Sequence, residues 1–122
     1  MTHLIDLDAR IALLANGLHR KDPRPGAGLD PHPVVKLFTP DAGATWLLTE
    51  LDPDQPTLAF GLCDLGLGSP ELGYVCLTEL RQVRGKLGLP IERDLHFKAN
   101  HPLSAYVTAA QSAGRIVTDL AS

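Results

Sequence analysis

The sequence predicts an α+β fold, in which an antiparallel β-sheet meander of four to five strands is flanked by an N-terminal helix, a short middle helix and a C-terminal helix. Three observations carry this expectation. Apolar residues recur at helical spacing near both ends of the chain, and four runs rich in Val, Leu, Thr and aromatics fill the middle. The connections between those runs are too short for parallel crossovers. A length of 122 residues suits a single domain, 1–122, whose core needs no metal or disulfide to hold it.

The first element lies within 1–21, where Leu4, Leu7, Ile11, Leu14 and Leu18 keep helical spacing. Asp6 and Asp8 come early and His19, Arg20 and Lys21 late, which matches the helix dipole, and Gly17 predicts an end nearby. Residues 22–33, "DPRPGAGLDPHP", are half Pro or Gly and read as a mobile loop. The sheet region, 34–97, then opens with "VVKLFT" (34–39), "TWLLTELD" (45–52), "TLAFGLCD" (57–64) and "LGYVCLT" (72–78). The turn residues "PDAG", "PDQP" and "LGLGSPE" separate them. A short helix over 79–88 follows, with Leu80, Val83 and Leu87 inward and Thr78 as N-cap, and "LPIERDLHF" (89–97) is the last strand. The closing helix, 101–114, has Leu103, Tyr106, Val107 and Ala110 on one face, Pro102 at its start and Gly114 as its stop.

Glycine is dense in "GLCDLGLGSPELGYVC" (61–76), which raises the question of a phosphate cradle. A nucleotide fingerprint needs a helix after its glycines, and here a strand follows, with neither the spacing nor the Lys-Ser/Thr pair of a phosphate loop. The stretch reads as a hairpin in which Gly66 and Gly68 take positive φ. If its turn centres between Ser69 and Pro70, Cys63 and Cys76 lie opposite one another as a cross-strand thiol pair.

Eleven basic and fourteen acidic residues give a net charge of -3, which offers no general attraction for nucleic acid and is too small for a mimic of it. No basic leader followed by an apolar run and no membrane-length segment is visible, so a cytoplasmic protein with reduced thiols is expected.

Strand alternation in "ERDLHF" places Glu92, Asp94 and His96 on one face, a set able to hold a divalent metal, with Ile91, Leu95 and Phe97 on the other. Arg93 falls on the apolar side, where it needs a carboxylate partner. Asp64 and Glu71 flank the hairpin loop, with turn capping as the simpler role, and Trp46 and Tyr74 are the aromatics available to a partner, with a place in the core as their simpler role. Nucleophile signatures such as G-x-S-x-G, C-x-x-C and H-E-x-x-H are absent from the sequence.

The phrases "PVVKLFTPDAGATWLLTELDPD", "AFGLCDLGLGSPELGYV" and "ERDLHF" followed by "PLSAY" resemble the bacterial family called domain of unknown function 2958. The resemblance runs from Pro33 to Gly114 and, more weakly, through "LLANG". It implies an uncharacterised protein of plasmids and other mobile elements of proteobacteria, with no established activity to carry over. The expected function is that of a small accessory protein acting by protein binding, with a partner of unknown identity or a second copy in a homodimer. The alternative is a metal-dependent hydrolase or metal-binding protein using Glu92, Asp94 and His96. No cofactor other than that possible metal is expected.

Overall fold

In the computed structural model, which describes residues 4–21 and 30–120, the run "TWLLTEL" forms strand β2 (Thr45–Leu51). Every residue of β2 from Trp46 onward is buried, because both faces of this central strand are covered. Strand β1 is Val35–Phe38, β3 is Leu58–Asp64, β4 is Glu71–Cys76 and β5 is Glu92–Arg93. The sheet order is β4-β3-β2-β1-β5, and every pairing is antiparallel. The first four strands form the expected meander, and the chain then returns to pair β5 with β1 at the far edge.

Helix α1 (Leu7–Arg20) starts from an Asp6 N-cap, whose carboxylate accepts from the Ala9 N–H at 2.8 Å. Its buried face is Ala9, Leu13 and Gly17. Leu7, Ile11 and Leu18, expected inward from their spacing, are 71%, 58% and 62% exposed. Close approach decides this: a Cβ on Gly17 would stand 1.9 Å from the Leu51 carbonyl oxygen, so the helix can dock against β2 only with the face that carries this glycine. The core beneath it joins Leu4, Ile5 and Leu13 to Val35, Leu37, Trp46, Leu48, Leu51, Ala59 and Ile91. On the opposite face Leu47 and Leu62 pack against Leu103, Tyr106 and Ala110 of helix α3 (Leu103–Ala113). The sheet therefore lies between a helix on each side.

The expected middle helix is one turn, α2 (Leu77–Leu80), with Leu77 and Leu80 buried and Cys76 rather than Thr78 at the N-cap position. Residues 81–88 leave the helix because Gly85 and Gly88 allow a tight loop: Gly88 has φ +81°, and a Cβ on Gly85 would collide with the Asp41 carboxylate at 1.6 Å. Asp41 accepts from the Leu87 N–H at 2.6 Å, which holds Leu87 81% exposed instead of inward. The expected strand over 89–97 shrinks to the two residues of β5, since Asp94 starts a turn in which the Phe97 N–H donates to the Asp94 carbonyl at 3.3 Å. Leu95 is consequently exposed while Ile91 stays in the core.

Of the Pro/Gly-rich segment, residues 22–29 lie outside the described residues. Asp30 and Pro31 are docked on α3. The Leu103 N–H donates to Pro31 O at 2.9 Å and the Ser104 N–H to Asp30 Oδ1 at 2.9 Å. Gly114 ends α3 with φ +73° as its spacing predicts.

Candidate protein-binding edge

Between β2 and β3 the register shifts at Leu48/Glu50, leaving Thr49 as a bulge. The bulge is buried and satisfied, for the Thr49 hydroxyl donates to Phe60 O at 3.2 Å and its carbonyl accepts from the Asn16 amide at 2.8 Å. A bulge inverts the facing of the residues beyond it. Leu51 thereby joins the α1 core, and Glu50 turns to the other face beside Phe60, its partner across the ladder. Phe60 in turn faces Tyr74 on β4. The result is a row across three strands, Glu50, Phe60 and Tyr74, that ends at the sheet edge.

Arg20, at the last turn of α1, completes the row. Its Nε donates to both carboxylate oxygens of Glu50 at 2.7 and 2.8 Å, and its guanidinium carbon lies 5.6 Å from the centroid of the Phe60 ring. Phe60 and Tyr74 meet edge to face with centroids 5.0 Å apart. Glu50 is nearly sealed while Arg20 keeps much of its surface in water. Lys21 pairs with Asp52 at 3.6 Å and with Asp54 beside it; the Asp54 hydrogen bond and the nearby Asp52 charge hold its ammonium above the ordinary lysine range. The arrangement has an apolar centre, Tyr74 and Leu72 (58% and 48% exposed), with a charged rim at its α1 end. Exposed Tyr braced by Arg is the composition that dominates binding energy at protein interfaces.

The backbone of β4 adds a second feature. The Leu77 N–H donates to Thr57 O at 2.8 Å, and Gly73 and Val75 stand opposite Gly61 and Ala59 in the same register. By the alternation of an antiparallel ladder, the N–H and C=O groups of Leu72 and Tyr74 point away from β3. No described strand pairs with that side.

The residues singled out from the sequence fall in separate places. Trp46 is buried in the α1 core and shares no surface with Tyr74. Asp64 is buried, and its carboxylate accepts from the Gly66 N–H at 2.8 Å, the expected turn cap, and from the Ile116 N–H at 2.9 Å. Glu71 is exposed at the start of β4 and faces Cys63. The expected thiol pair does not form, since Cys76 faces Leu58 and the hairpin is centred on Leu67, not between Ser69 and Pro70. The two thiols lie on opposite faces of the sheet. Burial pushes the Cys63 thiol up from 9.0 to about 11.

Glu92, Asp94 and His96 are not gathered on one strand face, because the strand ends at Arg93. Asp94 caps its own turn, accepting from the His96 N–H at 2.9 Å, and lies 3.5 Å from Lys36 Nζ. Burial pushes the Asp94 carboxyl up, but that N–H and the Lys36 charge outweigh it and hold the group below its usual range. Among the described residues no group of three or more His, Cys, Asp or Glu could hold a metal ion. The Lys36–Asp94 pair instead lines an open depression of about 280 Å³ with Phe38, Thr39 and Thr45. Arg93 finds its carboxylate in Asp6, at 2.8 Å.

Sequence reading missed Arg20, Glu50 and Leu72 as members of one surface. Alternation marks Leu72 and Tyr74 as sharing a face, but the bulge that brings in Glu50 has no sequence signal. No helix among the described residues is long and apolar enough to cross a membrane. A family profile described as "Protein of unknown function (DUF2958)" matches residues 4–117. No curated protein and no solved structure matches the chain.

Proposed function

The chain belongs to the DUF2958 family of proteins of unknown function, and from that premise we propose that it is a non-enzymatic accessory protein that acts by binding protein through the β4 edge. The observation that carries this reading is the coincidence, on one short strand, of outward backbone donors and acceptors with exposed Leu72 and Tyr74. Either feature alone is ordinary on a protein surface, whereas together they match the requirements of strand addition, in which main-chain bonds supply affinity and alternate side chains supply selectivity. The family resemblance in the motifs supports a plasmid or another mobile element as its setting.

Bait protein and Tyr74→Lys bait, each co-expressed with a differently tagged second copy in the host strain, test the reading. Tyr74 is exposed, so the substitution is expected to leave the melting temperature within a few degrees and to remove the captured protein, the second copy included. Capture that is indifferent to Tyr74→Lys overturns the assignment to this edge.

A further inference from the structure

We propose that the β4 edge pairs with the β4 edge of a second copy of this chain, antiparallel about a two-fold axis through Gly73, so that two five-stranded sheets become one. The inference rests on the edge-binding reading above and names its partner.

The register follows from the residues. Only Leu72 and Tyr74 lie well within β4 with outward main-chain groups, so a pairing that satisfies both sets Leu72 opposite Tyr74 of the second copy, and the reverse, with four hydrogen bonds between them. Their side chains share a face. The Phe60–Tyr74 pair of one copy then continues into the Leu72–Leu62 pair of the other, and the same row runs back across the axis. Gly73 meets Gly73, and a Cβ at that position touches nothing within 4 Å, so the second copy meets no bulk there. Glu71, the charged residue of β4, falls opposite Val75 of the second copy. The two Glu71 carboxylates are held about 13 Å apart along the strands, four residues at the strand rise, and like charges do not oppose.

The remainder of the sheet explains why assembly would stop at two. Pro70 precedes β4 and α2 begins at Leu77, which bounds the pairing segment at both ends. The other edge, β5, is two charged residues long, a length too short to template pairing. Among the described residues, a dimer closed through β4 therefore leaves only the two-residue β5 edges, and the isologous contact is complete. An unrelated extended segment would satisfy the same backbone groups, but the matching of Tyr74 to Leu72 on both sides of the axis is specific to self-pairing.

Gly73→Cys in a Cys63→Ala, Cys76→Ser background, which removes the native thiol 4.0 Å from the Gly73 carbonyl, tests the register directly. Gly73 sits at a non-hydrogen-bonded position of the proposed pairing, where Cα atoms are about 4.5 Å apart, within disulfide reach. Mild oxidation of the folded protein is expected to yield a disulfide-linked dimer. Leu67→Cys in the same background, at the hairpin tip and farther from the axis than Glu71, is expected to stay free. Light scattering of the unmodified chain should give twice 13.1 kDa, and Tyr74→Lys should raise the dimer dissociation constant at least about tenfold with the circular dichroism unchanged. A monomer mass up to the solubility limit, or a Gly73→Cys thiol that stays free in folded protein, overturns self-pairing. If the chain is monomeric while Tyr74→Lys still abolishes capture of a different protein, self-pairing falls and edge binding stands. Capture and dimerisation both indifferent to Tyr74→Lys overturn both.

Discussion

Two glycines show how different physical constraints hide behind one residue type. Gly17 has ordinary helical backbone and is required because the Leu51 carbonyl occupies the place of a side chain, with 1.9 Å left for a Cβ. Gly68 has open space around it and is required by its φ of +86°. Gly17→Ala is therefore expected to force α1 off β2 and cost roughly 3 kcal/mol or more. Gly68→Ala is expected to cost only about 1 kcal/mol, the strain of a left-handed residue. Urea denaturation of both variants checks the ranking. Cys63 makes a pH prediction. Its folded value of about 11 lies above the ordinary 9.0, so between those values the unfolded chain has lost a proton that the folded chain keeps. The contribution is thus fully present below pH 9 and is lost as pH rises toward 11. Unfolding midpoints of wild type and Cys63→Ala, measured across that window, should converge, and parallel curves would reject the assignment. At neutral pH the same thiol should alkylate slowly.

At the scale of elements, secondary structure is repeatedly finished by residues distant in sequence. Helix α3 begins after Pro102, which has no capping side chain, and Asp30 reaches its Ser104 N–H across the fold. The Ser104 hydroxyl donates to the other oxygen of the same carboxylate. Asp30→Ala should destabilise the protein by about 1 kcal/mol, the usual cost of a lost cap, and hydrogen exchange at Ser104 should quicken while α1 amides are unaffected. Equal quickening in both helices would show a global effect instead. The β2 bulge is the second case. Placing one unpaired residue at Thr49 lets a single strand contribute Leu48 and Leu51 to one core and Glu50 to the opposite face, which a regular strand could not do.

Across the whole molecule the two faces of the sheet are covered unequally. Helix α3 packs on Leu47 and Leu62 near the hairpin end, and Asp64 fastens the segment after α3 to that same hairpin through Ile116. Tyr74 and Leu72 remain outside this cover, and α1 contributes only Arg20 to their row. The open strip coincides with the longer of the two sheet edges that no described strand covers. Closure through that edge would leave only the two-residue β5 strands at the ends of a ten-stranded sheet, so the predicted assembly is a dimer and not a fibre.

Local signals in the chain suffice for the fold class, the four-strand meander, the glycine stop of α3, the pairing of Arg93 with a carboxylate and the family. Each depends on local periodicity, turn chemistry or contiguous motif phrases, which short segments carry intact. Tertiary structure alone decided which face of α1 is buried, because the larger side chains at Leu7, Ile11 and Leu18 gave the stronger periodic signal while the Leu51 carbonyl admitted only Gly17. It also decided the hairpin register, which a shift of the turn centre to Leu67 changed enough to send Cys63 and Cys76 to opposite faces. The run "ERDLHF" is likewise decided by the fold: β5 ends at Arg93 and the Asp94 carboxylate caps its own turn, so strand alternation does not carry on through His96. The candidate edge lay between the two. Leu72 and Tyr74 were legible as neighbours on one face, but their exposure and their contact with Arg20 and Glu50 arise from a bulge and a helix end that meet only when the chain is folded.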